Sequence, residues 1–234
     1  MSELVTTEIE DSIAMITMDD GKVNALSPRM QRAIHAALDQ AEAAGAVVVV
    51  AGREGRFSGG FDLAVLTAGG ADAAGMVRGG FEIAARLLSF PRPVVVACTG
   101  HAIAMGAFLL LAGDHRIGAA GAHRIVANEV AIGLTLPRAA IAICRERLNP
   151  AVFTRATLLA EPFSPEEAVA AGFLDRAVPA AEVRATAKSV AAGLAKLDMT
   201  AHAASKLRAR AEFLASFRAA IEADDADLRR LIAA

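Results

Sequence analysis

Two uninterrupted valine-rich apolar runs constrain this chain more than any other feature. Val47–Val50 is four valines in succession, and Val94–Ala97 repeats the pattern directly after Pro93. A strand with one face in water alternates apolar and polar residues. A run with no polar member reads as a strand covered on both faces, as in a parallel sheet. Parallel strands need crossover connections, usually helical. One such helix is announced by Ser27 as N-cap and Pro28 at the first position, with Met30, Ile34, Ala37, Leu38 and Ala41 on one face and Gly45 at the end. Ile13–Met18, Arg116–Ile117, Arg124–Val126 and Leu174–Val178 read as further short strands. Arg53–Gly60 reads as a loop, and Ala68–Gly80 as a low-complexity, mobile surface segment before helical spacing resumes at Phe81–Leu88. Ala102–Ala112, Pro137–Leu148 and Ala151–Ala160 read as helices, and Ser164–Glu167 is a capping box opening another that Gly172 ends. From about Ala180 the chain is alanine-rich and helical, with Gly193 as an interruption. With βα units first and helices last, the expected fold class is α/β, with a core over residues 1–180 and a helical region over 181–234.

Composition removes several functional classes. The 234 residues suffice for a substantial core, and a net charge of −2 implies no broad basic surface for nucleic acid. Cys98 and Cys144 both sit in apolar runs, which suits core thiols of a reducing compartment rather than a disulfide. No CxxC or HExxH spacing occurs, so no metal site is expected. Gly69–Gly80 does not follow a strand in GxGxxG register, which argues against a dinucleotide site. The acidic MSELVTTEIEDS start lacks the apolar segment of a signal peptide, and a cytoplasmic location is expected. Pro93–Gly113 is 21 residues without a charge and mimics a membrane span, but Thr99-Gly100-His101 breaks it into a strand and a short buried helix.

The chemistry concentrates between Gly100 and Gly133. A small-residue turn opens an apolar helix there, and one carboxylate, Glu129, then stands inside an apolar run. Upstream, FSGGFDL (residues 57–63) is a second glycine turn able to present a backbone N–H. N–H donors beside one shielded acid are equipment for an oxyanion and a proton. Val126, Val130 and Ile132 are expected to raise the pKa of Glu129. The blander alternative has Glu129 merely bonding nearby backbone N–H groups or Arg124. Asp114 and Arg116 read as a structural ion pair, His101 as a hydrogen-bonded structural histidine, and His35 as a residue on the exposed side of its helix. His115 and His123 have no convincing ligand partner.

Four segments in order resemble the crotonase (enoyl-CoA hydratase/isomerase) superfamily: KVNAL at 22–26, FSGGFDL at 57–63, GHAIAMGAFLLLAGDHRI at 100–117 and NEVAIGLTLP at 128–137. SPEEAVAAGFLDRAV, at 164–178, matches a further family region. The resemblance implies a spiral of ββα turns with a C-terminal helical region and assembly as a homotrimer or hexamer. It implies an acyl-CoA thioester as substrate, with coenzyme A entering as part of that substrate and no metal or redox cofactor. Position by position, the oxyanion-hole donors match the N–H groups of Phe61 and Met105, and Lys22, Val23, Ala25, Gly59 and Leu63 match residues along the CoA moiety. Of the two glutamates that family hydratases use, the second matches Glu129, while the first matches Phe108, which reads as acyl-pocket lining. A single acid suits double-bond migration from 3-enoyl-CoA to 2-enoyl-CoA in fatty-acid metabolism. Hydration of 2-enoyl-CoA by a modified site, or acyl-CoA binding without catalysis, stays open as an alternative, whereas a serine hydrolase lacks a credible Ser/His/Asp set.

Overall fold

The computed structural model describes residues 3–233. A hairpin opens the chain: β1 (Val5–Glu10) pairs antiparallel with β2 (Ile13–Met18). Asp11 and Ser12 turn it with φ of 50° and 62°, the left-handed pair a two-residue hairpin loop requires. Helix α1 (Pro28–Ala43) follows, its Met30 N–H received by the Ser27 side chain. The chain then winds as a spiral whose turns each contribute one strand to a large sheet and one to a small sheet. The turns supply β3 (Val47–Ala51) with β4 (Gly55–Ser58), β5 (Val94–Cys98) with β6 (Gly100–Ile103), and β7 (His115–Ala119) with β8 (Ile125–Val126). β9 (Arg176–Val178) completes the large sheet in the order β1-β2-β3-β5-β7-β9, and the small sheet runs β4-β6-β8. After the hairpin the described strands pair parallel with one another, and Ile125 of β8 also makes an isolated antiparallel bridge to Phe163. Both valine runs are wholly buried, as strands covered on two faces must be.

One face of the large sheet, with the small sheet and most helices, encloses the main core. The other face is covered by α8 (Val183–Leu194), which places Val183, Ala187 and Ala191 at four-residue spacing against Val47, Val49, Val95 and Ile117. Helices α2 (Leu63–Ala68), α3 (Gly70–Ser89) and α4 (Met105–Leu111) belong to the spiral, and α5 (Arg138–Arg147), α6 (Pro150–Thr157) and α7 (Pro165–Ala171) to its last crossover. Beyond α9 (Met199–Ala209), α10 (Ala211–Ala233) returns to the main core. Its Phe217 meets Phe81 of α3 edge-on, with ring centroids 6.4 Å apart. Asp224 of α10 also accepts the Arg138 and Ala139 N–H groups, capping α5 where that helix has no side-chain cap of its own. Among the described residues, no helix is long and apolar enough to cross a membrane.

Several sequence expectations are corrected. Ala68–Gly80 is not a mobile surface segment: it ends α2 and forms the first half of the 20-residue α3, with Ala74, Met76 and Val77 buried. Arg53–Gly60 contains β4, and Ala102–Ala112 is divided between β6 and α4, because these short strands gain their partners only from distant turns of the spiral. Gly193 lies within α8, and the helical break comes after Ala195 instead. His35 is half-buried, with Arg86 donating to its carbonyl. Asp114 and Arg116 do not pair. Arg116 binds Asp175 through Nε and Nη2 in a fork, at 3.2 and 2.7 Å, and Asp114 turns instead to the Val94 N–H, Lys206 and Arg210. Cys98 and Cys144 are free and buried, as expected of core thiols.

Lys206 is the most deeply buried cation of this cluster, with its side chain 4% exposed and Asp114 at 2.7 Å. Asp114→Ala strands that charge and is expected to cost about 3–5 kcal/mol. Lys206→Met removes the charge instead, leaves Asp114 with Arg210 and the Val94 N–H, and is expected to cost markedly less. Urea denaturation of both variants checks the ordering; equal losses would show that the pair acts by packing alone.

Candidate active site

The site lies where β4 and β6 end side by side. Their parallel register, Gly55 with Gly100 and Ser58 with Ala102, delivers the Gly59–Phe61 turn and the Ala104–Met105 turn to one edge of the small sheet. Contact is close: a Cβ placed on Gly60 would stand 2.9 Å from the Ile103 carbonyl oxygen and 3.3 Å from the Met105 nitrogen. Gly60 has φ +88°, so both space and backbone conformation call for glycine here.

The orientation of each N–H follows from its own peptide plane. In a trans peptide the C=O and the next N–H point in opposite directions. The Gly60 carbonyl accepts from the Leu26 N–H at 2.8 Å, so the Phe61 N–H faces away from that anchor. The Ala104 carbonyl accepts from the Ala107 and Phe108 N–H groups inside the first turn of α4, so the Met105 N–H projects beyond the helix end. Neither the Phe61 nor the Met105 N–H donates to any acceptor among the described residues. The Ala104 N–H is held by the Val126 carbonyl at 2.8 Å, joining the end of β8 to the same corner.

Glu129 stands three residues beyond Val126, at the start of a short 3₁₀ turn over Val130–Ile132. It is 8% exposed, and its Oε2 is buried without a hydrogen-bond partner among the described residues. Burial pushes its pKa up from 4.5 to about 7, against a small opposing effect from its own N–H. No neighbouring charge contributes, Arg124 included, and among the described residues the Glu129 Oε2 has no hydrogen-bond partner. Cys144 of α5 lies beneath: burial, assisted by the Glu129 charge, pushes that thiol up. The apolar neighbourhood read from Val126, Val130 and Ile132 thus has the expected direction, although Val130 and Ile132 are themselves exposed.

Phe108 sits one turn into α4, 1% exposed, with its ring stacked on Phe81 at 6.0 Å. Phe61 meets the same Phe81 edge-on at 6.3 Å. The segment bearing Lys22, Val23 and Ala25 runs beside the Gly59 turn, since the Gly59 N–H donates to the Val23 carbonyl at 2.7 Å. Lys22, Val23 and Leu63 are exposed there, and Leu63 opens α2 behind its Asp62 cap. His101 accepts the Arg124 N–H on Nδ1, in keeping with a structural histidine.

Sequence reasoning missed the residues that hold this loop. Asp20 receives the N–H groups of Lys22, Asn24 and Ala25; these outweigh the effect of partial burial and keep its carboxyl below the usual range. Asn24, at φ 55°, donates to the carbonyls of Met18, Arg56 and Phe57, and Ser58 donates to the Asn24 carbonyl. The DDGKVN string carries the signal, because Asp and Asn both favour side chain–backbone turns.

The raised pKa of Glu129 has a consequence for stability. The folded state holds this proton more tightly than the unfolded chain, so its contribution is intact below pH 4.5, declines as pH rises towards 7 and is lost above that. A displacement from 4.5 to about 7 corresponds to about 3 kcal/mol. Glu129→Gln is therefore expected to gain stability over the parent chain by up to that amount between pH 4.5 and pH 8, read from denaturant midpoints. A difference independent of pH would contradict the buried, unpaired carboxyl.

The family model described as enoyl-CoA hydratase/isomerase matches residues 8–233. A Mycobacterium tuberculosis enoyl-CoA isomerase structure shares 52% identity and a TM-score of 0.93, over 97% of this chain and 99% of that one. A Mycobacterium ulcerans enoyl-CoA hydratase structure also shares 52% identity, with a TM-score of 0.92 over 95% and 98% of the two chains. Among curated proteins, the peroxisomal enoyl-CoA delta isomerase 2 of Arabidopsis thaliana is 29% identical over 200 residues, 81% of this chain and 83% of its own.

Proposed function

The chain belongs to the enoyl-CoA hydratase/isomerase family, and from that premise we propose that it converts a 3-enoyl-CoA into the 2-enoyl-CoA, with Glu129 as its single acid–base group. The observation that carries this reading is the isolation of Glu129. Its proton affinity is set by burial, with no second carboxylate acting on it. Phe108, at the position where the family resemblance would put a hydratase's other acid, is packed against Phe81 and has no proton to give.

The reaction balances with these groups alone. The Glu129 carboxylate takes a proton from C2, the carbon between the thioester carbonyl and the double bond. The electron pair moves into the carbonyl, and the resulting dienolate oxygen accepts from the Phe61 and Met105 N–H groups. Glu129 then returns the proton to C4, leaving the double bond between C2 and C3. A pKa near 7 suits a group that must act as base and then as acid near neutrality. The two N–H groups add transition-state stabilisation of a kind commonly worth about 3–4 kcal/mol per donor. Exposed Lys22, Val23 and Leu63 offer the CoA moiety a path away from the N–H pair. Hydration is the second reading, favoured by the name of the Mycobacterium ulcerans relative; it requires a group other than Phe108 to activate water.

Three measurements test the reading. Offered separately, 3-enoyl-CoA is expected to give 2-enoyl-CoA, and 2-enoyl-CoA to give little 3-hydroxyacyl-CoA; rapid hydration would establish the second reading instead. Glu129→Gln is expected to lower turnover at least ~100-fold with acyl-CoA affinity nearly unchanged. In the parent chain, kcat/KM should climb with pH and level off above about 7, because the free enzyme must present Glu129 ionised. Full activity in the Gln variant, or a flat profile through pH 7, would remove Glu129 from the mechanism.

A further inference from the structure

The oxyanion donor at Phe61 is held from outside the site, by α1 and α3. Gln31 of α1 is 6% exposed, and its Nε2 donates twice, to the Leu26 carbonyl at 3.0 Å and to the Met76 carbonyl of α3 at 2.8 Å. Leu26 is the residue whose N–H fixes the Gly60 carbonyl. One amide side chain therefore links α3 to Leu26, and Leu26 to the peptide that carries the Phe61 N–H.

Helix α3 is notched to receive this link. A Cβ at Gly79 would stand 2.4 Å from the Gln31 Oε1, and a Cβ at Gly80 would stand 2.5 Å from the Phe61 ring and 3.4 Å from Met105 Cγ. Adjacent glycines thus let the Gln31 amide and the Phe61 ring lie directly on the helix. Glycine inside a helix costs about 1 kcal/mol against alanine, and close approach is the physical return at these two positions. Gly75, one turn earlier, has nothing within 4 Å of its own Cβ position and serves as the comparison.

We infer that Gln31, seated against the Gly79–Gly80 notch of α3, is a positioning residue that sets the direction of the Phe61 N–H and so tunes the oxyanion hole. The inference rests on the oxyanion role given above to Phe61. It makes α3 an adjustable wall: displacement of Gln31 or of the Phe61 ring re-aims one donor while leaving Glu129 and the Met105 donor in place. No substrate contact by Gln31 is involved.

The test uses the whole protein, with Gln31→Met, Gly80→Ala and Gly75→Ala compared to the parent. Gln31→Met keeps side-chain length and removes both hydrogen bonds; Gly80→Ala pushes the Phe61 ring and leaves Gln31 intact. The first readout is the carbonyl stretch of bound hexanoyl-CoA labelled with 13C at the thioester carbon, which reports hydrogen bonding to that oxygen. The parent should shift it to lower frequency, and both Gln31→Met and Gly80→Ala should show a smaller shift. The second readout is turnover of 3-enoyl-CoA: kcat should fall about 10-fold, short of the 10²–10³ lost when a donor is removed outright, with KM unchanged. Gly75→Ala should match the parent in both. If Gln31→Met does not fold, Gly80→Ala carries both readouts alone. A parent chain that leaves the carbonyl unshifted overturns the oxyanion reading, and this inference with it. A shifted parent with equally shifted variants overturns this inference only, and so do variants that lose thermal stability while keeping kcat.

Discussion

The parallel pairing of Gly55–Ser58 with Gly100–Ile103 is the interaction on which the site depends. Neither strand is long or apolar enough to persist alone, and each finds its partner only because successive spiral turns lay it beside the last. Once paired, both strands end at the same edge, and the residues just beyond them become neighbours. The proposed chemistry then needs no side-chain donor. It needs two peptide planes whose carbonyls are already engaged, since a trans amide anchored at oxygen has a determined N–H direction. Leu26 supplies one anchor and the first turn of α4 the other.

Charge is treated in two ways in this molecule. At the ends of β5 and β7, three cations are paired with carboxylates: Lys206 and Arg210 share Asp114, and Arg116 is forked onto Asp175; Arg147 forms no ion pair among the described residues and reaches the Gly113 carbonyl just beyond α4. These contacts bind the helical layers to the large sheet. Glu129 receives no such treatment, although it is as buried as Arg116. An unpaired buried carboxyl destabilises the ionised fold, and a base close to neutrality is what that isolation creates. The start of α4 is tied to Val126, three residues before Glu129, whereas Gly113 and Asp114 follow its end, and no cation of the paired network lowers the pKa of Glu129.

How legible this was in the sequence depended on how local each determinant is. The valine runs, the Ser27–Pro28 start and the capping box at Ser164 state their structure within a few residues, and all formed as read. β4 and β6 were illegible because their pairing is set by residues about 45 positions apart. The stretch from Ala68 to Gly80 misled for a different reason. Glycine marks flexibility in a turn and close approach in a helix, and composition cannot distinguish them; Gly79 and Gly80 belong to the second kind. The ion-pair error has the same origin, since Asp175 and Lys206 come to Arg116 and Asp114 from 59 and 92 residues away. At the site, Glu129 could be singled out as one acid in an apolar run, but Gln31 could not, because nothing near it in sequence shows that its amide faces Leu26 and Met76.

The two donors differ in how their geometry is secured. Ala104 holds φ 51° and ψ −123°, a conformation that a residue with a Cβ adopts only under constraint. That constraint is visible on both sides: its N–H is bound by Val126, and its carbonyl by two N–H groups of α4. Strain of this kind persists only when the surroundings over-determine it, so the Met105 donor is fixed by elements inside the site. The Phe61 donor follows glycine at positive φ, where little strain is stored and the backbone has more freedom. Its direction must come from elsewhere, through Leu26 and the helices behind it. On the proposed reading, the Gln31 link between Leu26 and α3 bears on the Phe61 donor and not on the Met105 donor, so the Phe61 side of the hole is the side set by residues outside the site.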